Sequence, residues 1–201
     1  MAGARAGTIY EKLARDMKHR GDLAKALLRI REWCAREGIP VALLGALASA
    51  EYGYVRHTED IDLLTTREGL DRIHAKLVGR GLVVRGPGLR RSFRDPELEV
   101  EVDVIISGEH AGSEESPVVY PDPASAAFTE RDGLRMPTLA ALIEFKIASG
   151  VWGHRQRDFG DVQGLIAANG LAESFAASLL PELRERYLAL LVESRLERKI
   201  E

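Results

Sequence analysis

The chain has 201 residues, of which 45% are hydrophobic and 29% are charged, a composition typical of a globular protein with one substantial core. Its 28 Lys and Arg residues nearly balance 31 Asp and Glu residues, so a net charge of −3 excludes a broad polycationic surface. The single cysteine, Cys34, excludes an internal disulfide and a multi-cysteine zinc site. Without a membrane-length apolar run or an apolar signal core, we expect a cytoplasmic protein with no membrane partner.

The first part of the chain is predicted to be helical. From Thr8 to Glu37, apolar residues recur at steps of three and four, with charged residues between them. We expect Gly21 and Asp22 to divide this stretch into two helices, because aspartate after a glycine is a favourable helix cap. Residues 1–38 are therefore assigned to amino-terminal helices that pack on the core.

The middle of the chain, residues 39–135, holds the predicted strands. Val41–Leu44 is a short apolar run between a proline and a glycine, which is typical of a buried strand. Small residues at 45–54 favour a helix, and the stretch 108–116 is predicted to be a polar loop. The remaining elements of this region are predicted strands at 61–65, 82–85 and 98–106 and a helix at 68–79.

Helix-forming residues dominate the last third of the chain, after Pro137. Helices are predicted at 139–149, 159–168 and 181–198. Strands in the middle and helices at both ends favour an α+β fold, in which a small mixed β-sheet is flanked by helices. Residues 136–201 are expected to form a helical cap at the carboxyl end of the chain.

Acidic residues are placed on single faces of two predicted strands. Asp60 and Asp62 lie two residues apart, so their side chains point to the same side, about 7 Å apart at their backbones. In the last predicted strand, Glu99, Glu101 and Asp103 are expected to share one face, while valines line the other. Carboxylate oxygens suit a hard cation such as Mg²⁺, and acids grouped on one face need a cation or solvent. Taken alone, the pair on the first strand is more typical of a strand end that meets solvent.

A glycine ends the first buried strand, where following helix N–H groups are typical of a phosphate-binding turn. The run Leu44-Gly45-Ala46, followed by acid-hydrophobic-acid from Asp60 to Asp62, resembles the core signature of the DNA polymerase β-like nucleotidyltransferase superfamily. The second signature position is usually glycine or serine. Here it is alanine, whose backbone N–H still binds phosphate, and Ser49 one turn later is the candidate to replace the missing hydroxyl.

The resemblance implies a catalytic core built around three acids. Asp60 and Asp62 would be catalytic residues that hold Mg²⁺, and Asp103 on the later strand would be the third, with Glu101 as the alternative. Two Mg²⁺ ions are implied, with Mn²⁺ as a substitute. Gly45, Ala46, Ser49, Arg56 and Lys146 are the residues assigned to nucleotide binding.

The likeness extends into the carboxyl-terminal region and spans about Val41 to Leu165. The segment from Met136 to Lys146 resembles abortive-infection-type and minimal nucleotidyltransferases, in which a helix lysine reaches the nucleotide phosphates. The next segment resembles their Arg-Asp-x-x-Asp pattern. Its charged residues are expected either to form a salt-bridge network that orients this lysine or to be a solvated helix start. Its residues are Arg157, Asp158 and Asp161.

The roles of several basic residues stay open at this point. Arg56 is consistent with a phosphate or acceptor contact and equally with a structural ion pair. His57 is expected to be a surface residue rather than a general base. A further set of arginines either contacts an RNA backbone or is simply solvated. Its members are Arg85, Arg90, Arg91 and Arg94.

The resemblance implies transfer of a nucleoside monophosphate from an NTP such as ATP to an acceptor, with release of pyrophosphate. An RNA 3′ end, a protein hydroxyl and a small molecule such as an aminoglycoside are all open as acceptors. Relatives with the lysine segment lean toward toxins of toxin–antitoxin systems, so an antitoxin partner that docks on the amino-terminal helices is a further expectation. The alternative is a non-catalytic nucleotide- or partner-binding module that retains the fold.

Overall fold

A seven-stranded mixed β-sheet lies at the centre of the fold, which a computed structural model describes for residues 18–197. The strands are β1 (Val41–Leu43), β2 (Asp60–Thr65), β3 (Val83–Val84), β4 (Ser92–Asp95), β5 (Val100–Ile106), β6 (Phe128–Arg131) and β7 (Leu134–Pro137). The helices are α1 (Lys18–Arg36), α2 (Gly45–Glu51), α3 (Arg67–Lys76), α4 (Leu139–Trp152), α5 (Gln156–Asn169) and α6 (Pro181–Glu197), with a 3₁₀ helix at Glu173–Ser178. This architecture confirms the predicted α+β fold with a helical carboxyl end.

The order of the strands places the two acid-bearing strands side by side. From edge to edge the order is β3-β4-β5-β2-β1-β7-β6. β2 is parallel to β5 and β1 is parallel to β7, whereas the other neighbours are antiparallel. A parallel pair needs a crossover connection, which α3, β3 and β4 provide between β2 and β5. In the register of that pair, Asp60 lies opposite Glu101 and Asp62 lies opposite Asp103.

One face of the sheet is apolar and packs against α1 and α3. Because strand side chains alternate, Ile61 and Leu63 of β2 point to this face, as do Val102 and Val104 of β5. They join a single core with apolar residues of both helices, among them Leu27. Each buried side chain of this kind stabilises the fold by about 1.5–3 kcal/mol, which fixes the register that brings the acids together.

The opposite face carries acids at one end and apolar residues at the other. Leu64 of β2 and Ile105 of β5 pack into a second core with α4, α5 and α6. Asp62 and Asp103 lie two residues earlier on the same face, and both remain partly exposed. The carboxyl-terminal helices therefore cover the apolar end of this face and leave the acids at the border of the covered region.

Helix α1 differs from the prediction near Gly21. The helix is continuous from Lys18 to Arg36, so the predicted break at Gly21 and Asp22 is wrong. A glycine inside a helix costs about 1 kcal/mol, and burial of the apolar side of α1 against the sheet outweighs that cost. The first predicted helix, from Thr8, lies mainly outside the described residues. Neither α1 nor any other helix within residues 18–197 is long and apolar enough to cross a membrane.

The turn before β5 also corrects the sequence interpretation. Glu99 has a left-handed φ of 56° and precedes the strand, so it does not share a face with Glu101 and Asp103. The cause is the tight connection from β4, in which the carboxylate of Asp95 accepts a hydrogen bond from the backbone N–H of Leu98 at 3.1 Å. The acidic face of β5 consequently consists of two acids rather than three.

Three strands are absent from the sequence interpretation. β4 lies within the arginine-rich segment, where charged residues around Phe93 conceal the alternation of buried and exposed positions. β6 and β7 form a hairpin whose turn residues, Asp132 and Gly133, have φ values of 51° and 75°. Asp-Gly is a favoured pair for such turns, because both positions need positive φ. That dipeptide is the signal from which the hairpin is predictable.

Candidate active site

The three aspartates predicted as metal ligands lie on adjacent strands. Asp60 and Asp62 are on β2, and Asp103 lies directly opposite Asp62 on β5. The hydroxyl of Thr58 donates a hydrogen bond to Asp60, and the hydroxyl of Ser92 donates one to Asp103 at 2.6 Å. The third acid is thus brought to the pair from about forty residues later in the chain, as an effect of the parallel strand pairing.

Arg85 balances the outer side of this acidic face. Its guanidinium lies 2.8 Å from the carboxylate of Glu101 and 3.9 Å from that of Asp103. Glu101 is therefore the more strongly paired of the two acids on β5. Asp103, which lies opposite Asp62, is less closely paired with Arg85.

Asp62 occupies the most constrained position of the three. Burial of its carboxyl group, followed by repulsion from Asp60, raises the pKa of Asp62 to about 6, while the cations Arg155 and Lys146 oppose the shift. Gly45 approaches the carboxylate so closely that a Cβ there would lie 1.8 Å from Asp62 Oδ2. The backbone of Gly45 has a left-handed φ of 63°, which glycine adopts without strain.

The fit of a divalent cation to these residues follows from their charge and donor atoms. Within residues 18–197, no three His, Cys, Asp or Glu side chains stand close enough together to hold a metal ion without rearrangement. The donor set itself suits a hard cation, because Asp60, Asp62 and Asp103 offer only oxygen ligands. Burial and then repulsion from Asp60 raise the pKa of Asp62 although Arg155 and Lys146 oppose the shift, and a cation beside the carboxylate would offset both causes.

A cleft of about 440 Å³, including its open mouth, lies beside Asp62. Gly45 and Leu44 from the end of β1 form one wall. The opposite wall comes from the carboxyl-terminal helices and the loop before β6, which provide Tyr120, Leu142, Phe145, Lys146, Ser149, Arg155 and Asp158; Arg56 and Ile105 complete the lining. The lining thus combines aromatic and aliphatic side chains with charged ones.

A buried ion-pair network supports the charged wall. Lys146 Nζ lies 2.5 Å from Asp161 and 3.3 Å from Asp158, and all three side chains are almost completely buried. The guanidinium of Arg56 donates to the other oxygen of Asp161 at 2.8 Å. The predicted contact of Lys146 with both aspartates is confirmed. Arg56 is expected either to contact phosphate or acceptor or to form a structural ion pair. The structure shows the ion pair.

The arginine that joins this network is Arg155. Its Nε lies 3.2 Å from Asp158 Oδ2 and its side chain lines the cleft. The prediction that Arg157 takes part is wrong, because Arg157 is exposed and does not line the cleft. Tyr120, whose pKa is raised mainly by burial, is a second lining residue that the sequence interpretation does not include. Neither residue lies in a recognisable motif, so only the fold reveals them.

Other predicted residues lie at or near the site in different roles. Ala46 is buried in the first turn of α2, next to Gly45. Ser49 is fully buried, and its hydroxyl donates to the backbone carbonyl of Gly45 at 3.1 Å, so it faces its own helix. His57 is exposed and contacts Glu59, as expected for a surface residue.

The arginines considered for RNA contact are all engaged by acids. Arg90 pairs with Asp71 at 3.4 Å, and Arg91 binds Glu109 through two hydrogen bonds of 2.6 and 2.7 Å. The remaining two, Arg85 and Arg94, pair with Glu101 and Glu99. These ion pairs are exposed and exposed pairs are weak, so contact with an RNA backbone and simple solvation both stay predictions.

Asp62 is expected to make the metal-free protein less stable as the pH rises. Its folded-state pKa of about 6 exceeds the usual 3.8, so the unfolded chain releases this proton first. Between about pH 4 and about pH 6 the free energy of unfolding should fall by as much as about 3 kcal/mol through this group, at about 1.4 kcal/mol per pKa unit. Urea unfolding of the metal-free protein and of Asp62→Asn across this range measures the effect. Parallel pH profiles for the two proteins would contradict it.

Comparison with known proteins identifies similarity at the level of structure. No family model and no curated protein matches the chain. The antibiotic-resistance factor ANT(2″)-Ia, in its solution structure, is similar with a TM-score of 0.53 and 17% identity over 87% of this chain and 98% of that chain.

Two further solved structures are more distant. The crystal structure of ANT(2″)-Ia with adenylyl-2″-tobramycin has a TM-score of 0.49 and 14% identity, over 87% of this chain and 98% of that chain. JHP933 from Helicobacter pylori has a TM-score of 0.46 and 17% identity, over 89% and 92%. The likeness to the first structure, together with the mixed sheet and its flanking helices, gives this chain the same fold as ANT(2″)-Ia.

Proposed function

We propose that this chain is a metal-dependent nucleotidyltransferase that moves a nucleoside monophosphate from an NTP to an acceptor hydroxyl. The observation that carries the proposal is the position of Asp62, which lies between Gly45 on one side and Asp103 on the other. A glycine turn for phosphate, acids for a divalent cation and a charged cleft meet at this one side chain.

The three aspartates would hold Mg²⁺, with Mn²⁺ as a substitute. When bound, the ion would neutralise the triphosphate and stabilise charge on the attacking and leaving oxygens. Without a ligand, Asp60 is held by Thr58 and Asp103 by Ser92, so both side chains would rotate from these positions to share an ion. Burial of Asp62 and repulsion from Asp60 disfavour the charged carboxylate without a ligand, and a bound cation would favour it.

The nucleotide is assigned to the cleft. Backbone N–H groups that follow Gly45, including that of Ala46, face the position of the triphosphate in this proposal. Lys146 and Arg56 supply positive charge from the wall; Asp158 and Asp161 hold Lys146 in place, and Asp161 holds Arg56. The aromatic and aliphatic residues of the lining offer an apolar surface for the rest of the nucleotide.

Asp103 is assigned to the acceptor side. Its side chain is 37% exposed, on the part of the sheet face that the carboxyl-terminal helices leave open. The acceptor oxygen forms a bond to the α-phosphorus and gives up its proton toward Asp103, while the bond to the β-phosphate oxygen breaks and pyrophosphate leaves. An RNA 3′ end, a protein hydroxyl and a small-molecule hydroxyl all satisfy this chemistry.

Transfer of label from each of the four α-³²P-labelled NTPs tests the proposal. The wild-type protein is incubated with Mg²⁺ and with separate acceptor fractions: total RNA, lysate protein and small molecules that include aminoglycosides. We expect label in one fraction, and its loss by at least a hundredfold in the Asp60→Asn/Asp62→Asn protein. Asp71→Asn is the matched control, because Asp71 is an exposed aspartate that pairs with Arg90 away from the cleft.

The outcomes separate the two function classes. Nucleotide binding that depends on Mg²⁺ without any pyrophosphate release would favour a non-catalytic module. Label transfer that persists in the double variant would refute the assigned site. A toxin role would show as growth arrest on expression of the wild type and not of the double variant, and an antitoxin partner would relieve that arrest.

A further inference from the structure

Three cationic side chains line the cleft, and they differ in how firmly they are engaged. Lys146 is buried and lies between Asp158 and Asp161. Arg56 is 17% exposed and donates to Asp161 from the other side. Arg155 is 57% exposed and contacts the network through Asp158 alone, as far as residues 18–197 show. An anion that enters the cleft can therefore redirect Arg155 more easily than the other two.

The contact between Arg155 and Asp158 uses one nitrogen of the guanidinium. Nε lies 3.2 Å from Asp158 Oδ2, and that buried oxygen accepts no well-aligned hydrogen bond from the described residues. The other oxygen of Asp158 is held by Lys146 at 3.3 Å. Asp158 would therefore keep a cation if Arg155 moved away, and no carboxylate would be left buried without a partner.

The backbone at Arg155 is fixed although its side chain is exposed. Its N–H donates to the carbonyl of Ser149 at 3.2 Å, and the preceding residue, His154, is held at a left-handed φ of 54°. The adjoining Gly153 packs against the backbone of Gly112, where an added Cβ would meet Gly112 Cα at 3.0 Å. The turn between α4 and α5 thus anchors the base of a side chain that reaches over the cleft.

We propose that Arg155 is the side chain that grips the substrate's phosphates, leaving Asp158 when the nucleotide enters. The proposal rests on the function proposed above, and it deepens that function by naming the group that recognises the triphosphate. A guanidinium presents parallel N–H donors that match two phosphate oxygens, a geometry that its single contact with Asp158 does not use. Lys146 and Arg56 remain bound to Asp161 and shape the wall behind it.

Calorimetric titration with ATP and Mg²⁺ tests this role in four full-length proteins: wild type, Arg155→Gln, Arg155→Lys and Arg157→Gln. Arg157 is the matched control, an exposed arginine two residues away that does not line the cleft. We expect Arg155→Gln to weaken ATP binding about tenfold or more, Arg155→Lys to recover part of the loss, and Arg157→Gln to stay within about twofold of wild type. Inorganic tripolyphosphate, titrated in the same way, should lose the same factor.

The outcomes distinguish this inference from the function on which it rests. Equal ATP affinity in wild type and Arg155→Gln would overturn the role of Arg155 and leave the proposed function standing. Equal weakening by Arg155→Gln and Arg157→Gln would also overturn it, because the effect would then be one of net charge. Failure of the wild type to bind any of the four NTPs would overturn the proposed function, and this inference with it. Urea unfolding of each variant confirms that the compared proteins are equally folded.

Discussion

Replacement of Asp62 by asparagine is expected to abolish nucleotidyl transfer and to stabilise the metal-free protein at the same time. Transfer should fall by at least a hundredfold, because the central oxygen ligand of the proposed cation site is lost. The free energy of unfolding at pH 7.5 should rise by up to about 3 kcal/mol, because the charge that burial and Asp60 disfavour is removed. Label transfer and urea unfolding in the presence of a chelator measure the two effects.

Asp60→Asn is the control for this double effect. Asp60 carries the same charge two residues away, in contact with the hydroxyl of Thr58. Its replacement should therefore lower transfer with a smaller gain in stability. Addition of Mg²⁺ should stabilise the wild type and have little effect on Asp62→Asn. A loss of stability in Asp62→Asn at pH 7.5 would contradict the electrostatic account of this position.

Replacement of Asp161 by alanine is expected to give the largest loss of stability among changes near the cleft. The carboxylate is 1% exposed and binds Lys146 at 2.5 Å and Arg56 at 2.8 Å. Removing one partner from a buried ion pair typically costs about 3–5 kcal/mol, and the lower end of that range is expected here because Asp158 still contacts Lys146. Urea unfolding of Asp161→Ala against wild type measures the loss.

A surface pair provides the matched control for the buried network. Glu193 pairs with Arg186 at 3.4 Å, with both side chains more than a third exposed, and accepts a hydrogen bond from Gln163 at 2.9 Å. Glu193→Ala should therefore cost at most about 2 kcal/mol. Lys146→Met and the double variant with Asp161→Ala complete a double-mutant cycle, in which strong coupling is expected. A cost for Asp161→Ala no larger than that of Glu193→Ala would contradict the network's role in stability.

The strands that carry the aspartates were predictable because their side chains alternate. Valines on one face of β5 leave Asp103 on the other, and the same period puts Asp60 and Asp62 together. What alternation cannot provide is the identity of the neighbouring strand. The pairing of β2 with β5 is a long-range contact, and only the family resemblance indicated that Asp103 belongs with the other two.

The choice between Arg155 and Arg157 shows where sequence reasoning reaches its limit. Two positions at a helix start differ by about 200° around the helix axis, so the one that faces the cleft depends on where the helix begins. That start is set by the left-handed conformation of His154, a non-glycine residue that rarely adopts it. The sequence pattern drew attention to Arg157, whereas the tertiary packing of the turn selects Arg155.

Because Gly45 approaches Asp62 so closely, the residues that are allowed at these two positions depend on each other in homologues with this fold. A larger residue at 45 would displace the carboxylate, so neither position can drift while the other is under selection for catalysis. In a homologue without Asp62, the carboxylate no longer excludes a side chain at position 45. Only the left-handed backbone then still favours glycine there. Among homologues, a bulky side chain at position 45 therefore indicates a protein that keeps the fold but has lost the proposed transfer activity.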